Sequence, residues 1–267
     1  MGGTDDHDAY APPEIAARVA SVGVAKAGRD FLGTLVLAVL AGAFIALGGL
    51  LYCVVVTGSE LGFGPTRLLG GLAFSLGLVL VIVAGAELFT GNNLIAMAWA
   101  SRLVTTGQVL RNWAIVYVGN LLGALGTFAL AWAGRVHELG GGGVGRTLAA
   151  IGAHKTALEP LQAFALGVLC NGLVCLAVWL TLAGRSVTDK VLAIVFPITA
   201  FVAMGFEHSI ANMFFLPYAL ALDGFADAAL VRGAVSNLLL VTAGNMVGGT
   251  VLVAGVYWLA YLRGKKV

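Results

Sequence analysis

The stretch Ala84-Gly-Ala-Glu-Leu-Phe-Thr-Gly-Asn-Asn-Leu94 lies inside an apolar run from residue 68 to residue 100, and it places Glu87, Thr90, Asn92 and Asn93 where hydrocarbon-compatible side chains are expected. A helix needs about 20 consecutive apolar residues to cross a bilayer. This run is longer than one crossing requires and is interrupted partway. Inside a membrane a helix break is tolerated only where the freed backbone groups are buried in protein or line a cavity. The run therefore reads as a transmembrane segment broken within the protein, with its polar residues pointing inward. A second run, 191–221, is interrupted in the same way by Gly205-Phe-Glu-His-Ser-Ile-Ala-Asn-Met213, which contributes Glu207, His208, Ser209 and Asn212.

The two interruptions are related. Gly85-x-Glu87-x4-Asn92 matches Gly205-x-Glu207-x4-Asn212 at an offset of 120 residues, and Gly119-Asn120-x-x-Gly123 matches Gly244-Asn245-x-x-Gly248 at an offset of 125. Further apolar windows at 31–57, 112–134, 161–184 and 234–262 complete six spans, three in each half. Three is odd, so the second half must enter the membrane in the opposite sense. The expected fold is an all-α membrane protein, an inverted 3+3 repeat in which broken helices 2 and 5 face each other; solute paths lie at such repeat interfaces. The expected division is a cytoplasmic tail, 1–30, a channel domain, 31–262, and a second short tail, 263–267. Within the first tail, Ile15, Val19 and Val22 behind a Pro-Pro start predict an amphipathic helix over 12–28, resting on the inner face or covering the pore.

Composition agrees with this reading. Hydrophobic residues make up 60% of the 267 and charged residues only 10%, against roughly 25% charged in soluble domains. A net charge of +2 without a dense Lys/Arg cluster argues against a nucleic-acid partner. The tail opens with Asp5, Asp6 and Asp8 and its apolar run begins only at Phe31, which is unlike a cleaved leader. With the amino terminus inside, Arg18, Lys26, Arg29, Arg102, Arg111, Arg185, Lys190, Arg263, Lys265 and Lys266 are cytoplasmic, against Arg67, Arg135, Arg146, Lys155 and Arg232 outside. That asymmetry predicts both termini in the cytoplasm. Cys53, Cys170 and Cys175 fall inside apolar spans without metal or redox spacing.

Enzymatic readings find little to stand on. Gly140-x4-Gly145-Arg146-Thr147 imitates a phosphate loop, but it has Arg in place of Lys, follows no strand and falls in an expected external loop. Ser209 lacks a nucleophile-elbow context. A lone histidine cannot hold a metal, so neither metal nor cofactor is expected.

Ionisable groups inside a membrane cost several kcal/mol unless paired or facing a cavity, which singles out Glu87, Glu207 and His208. Each glutamate can accept backbone N–H groups and cap the half-helix that follows its break. His208 can change protonation near neutral pH and donate from either ring nitrogen. Lys155, ahead of the fourth span, is either a charge that concentrates anions at a pore mouth or an interfacial snorkelling lysine.

The stretches 84–94 and 205–213 resemble the two signature motifs of the formate/nitrite transporter family. The resemblance extends to the Pro-Pro-Glu of the tail, to His154-Lys155 and to Asn171 through Trp179. It implies a homopentamer of aquaporin-like protomers in a bacterial cytoplasmic membrane, each passing small monovalent weak-acid anions such as formate through its own pore. Nitrite and hydrosulfide are alternatives within the family, and a neutral-solute channel is an alternative of a different class.

Carried onto this chain, the family pattern makes His208 the central pore histidine, bonded to Thr90, with Asn171, Glu207 and Asn245 completing the polar network. Phe74 and Phe201 would form an outer constriction, Leu78 and Leu88 an inner one. Lys155 and Asn212 would attract the anion, and Glu87, Gly91 and Asn92 would mark the helix break. Passage would be linked to protonation, because a neutral acid sheds its water far more cheaply than an anion.

Overall fold

Hydrocarbon offers the backbone no hydrogen-bonding partner, so an apolar chain must satisfy its N–H and C=O groups internally. The computed structural model describes residues 9–264, and among these every regular element is helical. The acidic start of the tail, together with Lys265 and Lys266, lies outside the described residues.

Helix α1, Pro12–Gly28, opens on two prolines, with the Glu14 carboxylate accepting the Ala11 N–H at 2.8 Å. Its buried stripe of Ile15, Ala16, Val19, Ala20 and Gly23 faces the protein. Next come α2, Phe31–Val56, started by Asp30, and α3, Phe63–Val79, which continues as a π turn to Gly85. After a break follow α4, Phe89–Asn92, and α5, Ile95–Ala100. The chain goes on through α6, Thr106–Ala133, α7, Leu139–Thr156, and α8, Pro160–Thr181. The second break separates α9, Val187–Ala203, from α10, Ser209–Leu222. The last crossing is α11, Ala228–Val247, extended by a π segment, Gly248–Gly255, into α12, Val256–Tyr261.

Among the described residues, five continuous stretches are long and apolar enough to cross a membrane: Phe31–Val56, Phe63–Gly85, Thr106–Ala133, Pro160–Thr181 and Ala228–Tyr261. The remaining expected span is assembled from two pieces, α9 of 17 residues and α10 of 14.

Membrane helices gain little from burying apolar surface against each other, so close association depends on small residues that let backbones approach. The Gly-x3-Gly pairs found in the sequence do this. A Cβ at Gly123 would strike the Val39 carbonyl of α2, and one at Gly244 would strike the Phe164 carbonyl of α8. The pairs α2/α6 and α8/α11 are thus the close-packed seams of the two halves.

One element departs from expectation. The segment before the fourth span, expected as an external loop that includes the phosphate-loop imitation, is largely the helix α7. It buries Val144, Leu148 and Gly152 and packs against α10. Gly140, Gly141 and Gly142 hold φ of 61°, 62° and 78° and make a left-handed turn within its first residues. Glycine is a poor helix former, and a glycine-rich start disguised the helix. In position α7 mirrors α1: α1 packs against α5 behind the first break, as α7 packs against α10 behind the second.

Candidate functional site

Both breaks are built the same way. At the first, Gly85 takes φ +85° and the Ala86 N–H turns back to the Val81 carbonyl at 2.8 Å; at the second, Gly205 takes φ +76° and the Phe206 N–H reaches the Phe201 carbonyl at 3.0 Å. Glycine enters this left-handed region without the Cβ penalty. The extended residues that follow need partners for their freed backbone groups. Glu87 and Glu207 donate their N–H groups to the carbonyls of Leu37 at 3.2 Å and Leu166 at 3.3 Å. The Asn120 and Asn245 side chains supply the rest. Asn120 donates to the Glu87 carbonyl and accepts from the Phe89 N–H, while Asn245 donates to the Glu207 carbonyl and accepts from the Ser209 N–H, each at 2.9 Å. The first break therefore spans Ala86 to Leu88. Gly91 and Asn92, expected at the break, sit in the short helix α4 that follows it.

The glutamates do not cap the half-helices. Glu87 pairs with Lys26 at 3.0 Å, lies 3.8 Å from the Arg29 guanidinium and accepts the Asn92 amide at 2.6 Å. Glu207 pairs with Lys155 at 2.8 Å and accepts the Asn212 amide at 2.7 Å. In the same register Asn92 and Asn212 donate to Asn112 and Asn237, at 2.9 and 2.7 Å. These in turn donate to the backbone carbonyls of Lys26 and Lys155, at 3.2 and 2.9 Å. Two buried Lys–Glu–Asn–Asn clusters result, each tying a flanking helix, α1 or α7, to the break it covers. Asn212, expected beside Lys155 as an anion-attracting group, is fully buried and spends its amide on Glu207 and Asn237. It does not line the cavity described below.

His208 is the true cap of α10: its Nδ1 accepts the Ala211 N–H at 3.1 Å. A neutral imidazole that accepts at Nδ1 carries its proton at Nε2. Donation is therefore confined to Nε2, not open to either nitrogen, and that atom lies 3.0 Å from Thr90 Oγ1. The Phe201 ring stacks on the imidazole at 5.8 Å, and Phe74 meets Phe201 edge-on at 5.7 Å. Behind Thr90, its carbonyl accepts from Asn171 Nδ2 at 3.2 Å and from the Cys175 thiol at 3.3 Å. Asn171 also reaches Asn93 Oδ1 and the Asn245 carbonyl, at 2.8 and 2.7 Å. His208, Thr90, Asn171 and Asn245 are thus brought into one network. Glu207 joins it through its backbone only, since its carboxylate turns to Lys155.

This junction separates two cavities. One, of about 310 Å³, is lined by Arg67, Phe74, Lys155, Phe201, Glu207 and His208. The other, of about 500 Å³, is lined by Lys26, Arg29, Leu78, Glu87, Leu88 and Lys190, and α1 contributes Val19 and Val22 to its wall. Phe74 and Leu78 are one turn apart on α3 and fall on opposite sides of the divide. Both cavities hold more basic than acidic groups, whereas the junction of Phe74, Phe201, Leu78 and Leu88 is apolar and at most 4% exposed. A dry, apolar barrier thus divides two basic cavities.

Sequence reading missed Lys26, Asn112, Asn237 and α7. A signal was available, because Lys26 precedes Leu37 by 11 residues, as Lys155 precedes Leu166, and these are the residues that receive the N–H groups of Glu87 and Glu207.

The geometry has counterparts. Residues 13–259 match the Formate/nitrite transporter family. The formate channel FocA of Escherichia coli strain K12 is 39% identical, with 98% of each chain covered. A probable formate transporter of Methanothermobacter thermautotrophicus is also 39% identical, over 94% of this chain and 97% of its own. Among solved structures, a pentameric formate channel with formate bound superposes with a TM-score of 0.79 at 44% identity, covering 87% of this chain and 98% of that one. An FNT family ion channel gives 0.83 at 30% identity, covering 92% and 98%.

Proposed function

Because the chain belongs to the formate/nitrite transporter family, we propose that it passes small monovalent weak-acid anions, formate foremost, through a pore in each protomer of a homopentamer. The observation that carries this reading is the pair of basic cavities meeting at an apolar junction that holds one histidine. The formate-bound relative at 44% identity supports both the solute and the pentamer. The excess of Lys and Arg in the segments assigned to the cytoplasm supports placing both termini there, with the Lys155 cavity outside. The division into a tail, 1–30, a channel domain, 31–262, and a short tail, 263–267, follows from the same arrangement.

In this mechanism the anion enters the Lys155 cavity, where the falling dielectric favours its neutral acid. Thr90 gives up the Nε2–H of His208 to an oxygen of the solute, and the proton the solute needs comes from the external solution. A second proton on His208 would have to sit at Nδ1, where the Ala211 N–H already points, so the histidine serves as donor and positioner. The neutral acid then passes Phe74 and Phe201, and afterwards Leu78 and Leu88, and loses its proton in the Lys26 cavity. Export runs in reverse. Proteoliposomes of purified protein, offered labelled formate, nitrite, hydrosulfide and glycerol at acidic and mildly alkaline pH, test the reading. Formate uptake that rises as external pH falls is expected; flux of glycerol alone would overturn it.

A further inference from the structure

Lys155 is the evident anion-attracting charge of its cavity, yet its charge is spent. Its ammonium lies 2.8 Å from the Glu207 carboxylate, and an anion approaching such a pair meets a dipole and not a net charge. Lys26 and Arg29 share Glu87 in the same way on the other side, where Lys190 also lines the wall, which leaves two positive charges uncompensated there. On the Lys155 side the uncompensated charge belongs to Arg67. This residue lines the cavity, and among the described residues it has no carboxylate within 4.0 Å.

The partners of Arg67 are all neutral. Nε donates to the Ala203 carbonyl and Nη2 to the Val202 carbonyl, both at 2.9 Å, while Nη1 approaches the Tyr52 hydroxyl at 3.4 Å. These bonds fix the guanidinium plane against the carboxyl-terminal end of α9. A guanidinium has five N–H donors, so three contacts leave two to spare. A fixed, planar, permanently charged fork suits a small anion that presents two oxygens, a geometry a lysine ammonium does not offer. Val202 and Ala203 directly follow Phe201, whose ring covers His208.

We propose that Arg67, and not Lys155 alone, is the docking residue for the incoming anion, and that it favours anions with two oxygens, such as a carboxylate or nitrite, over anions with one acceptor atom such as hydrosulfide. This rests on the channel reading above and adds to it a residue and a selectivity. Lys155 then acts mainly as the partner that keeps Glu207 charged and in place.

The test is initial uptake against external concentration for formate, nitrite and hydrosulfide, in proteoliposomes of wild type, Arg67→Gln and Arg67→Lys. Arg67→Gln raises the half-saturating concentration of all three anions, by about tenfold for formate and nitrite, the equivalent of one lost charge-assisted contact, while maximal flux changes far less. Arg67→Lys keeps the value for hydrosulfide near wild type and raises those for formate and nitrite, so the ratio between the two classes shifts. A fall in maximal flux with half-saturation unchanged would reduce Arg67 to a prop for α9 and overturn the proposal. Should Arg67→Gln fail to assemble, an unshifted formate-to-hydrosulfide ratio in Arg67→Lys overturns it equally. Wild-type protein that passes none of the three anions would remove the channel reading and this inference together, whereas wild-type flux with indistinguishable variants would remove this inference alone.

Discussion

Asn120 and Asn245 make the same three hydrogen bonds in the two halves of the molecule. Asn120 accepts from the Phe89 N–H and donates to the Ala38 and Glu87 carbonyls at 2.9, 2.7 and 2.9 Å; Asn245 accepts from the Ser209 N–H and donates to the Gly167 and Glu207 carbonyls at 2.9, 2.8 and 2.9 Å. Each side chain bridges the residue that ends a break and the helix packed behind it, so each interrupted helix is held by one amide.

Asn245→Ala therefore orphans two buried backbone groups at once, the Ser209 N–H and the Glu207 carbonyl, and removes a second bond from the helical Gly167 carbonyl. At about 1–3 kcal/mol for each buried group left unpaired, a loss of at least about 2 kcal/mol is expected, and Asn120→Ala should match it closely. Thermal unfolding of the purified protein in detergent measures both. A large loss in one variant and none in the other would show that the two halves do not bear equal loads.

Lys155→Met strands Glu207, which is 2% exposed, without its ion-pair partner. Breaking a buried pair from one side costs about 3–5 kcal/mol, whereas neutralising both members costs much less. Lys155→Met combined with Glu207→Gln should recover most of the stability lost by Lys155→Met alone. Lys26→Met should cost less than Lys155→Met, because Arg29 remains 3.8 Å from Glu87 and the Lys26 side chain is 24% exposed. Denaturant titration of the three variants orders these losses, and a double variant no more stable than the single one would contradict the pairing argument.

His208 has two duties that substitutions can separate. Asparagine is a good N-cap residue, so His208→Asn should keep α10 capped, with stability close to wild type. His208→Phe loses the cap at a cost of about 1 kcal/mol. Neither variant offers the Nε2–H, so both should change the pH profile of formate uptake. Stability and flux measured on the same preparations decide the matter; wild-type flux and pH profile in His208→Phe would leave the histidine as a cap only.

Two glycines of the first signature should answer oppositely to alanine. Gly85 holds φ +85°, where a Cβ costs about 1–2 kcal/mol. Gly91 lies in the helix α4, and a Cβ there would meet the nearest atom, Val178 Cγ2, at an ordinary 3.5 Å. Gly91→Ala should be neutral or stabilising by up to about 1 kcal/mol. Equal losses in the two variants, measured by thermal unfolding, would place the break elsewhere than Ala86 to Leu88.

The apolar spans, the amphipathic helix over 12–28 and the two interruptions are legible along the chain. Hydrocarbon imposes length and apolarity on each crossing, and an intramembrane Glu or His stands out against that background. The relation between the halves is legible too, because Gly85, Glu87 and Asn92 recur as Gly205, Glu207 and Asn212. What those residues touch is set by the fold. Lys26 and Lys155 lie 61 and 52 residues from the glutamates they bind, a separation at which spacing along the chain carries no information about contact. The same holds for His208, whose cap occupies one nitrogen and so leaves only the other to face Thr90, 118 residues away. It holds again for Arg67, expected in an outer loop, which the fold sets on α3 and into a cavity whose other cation is already neutralised.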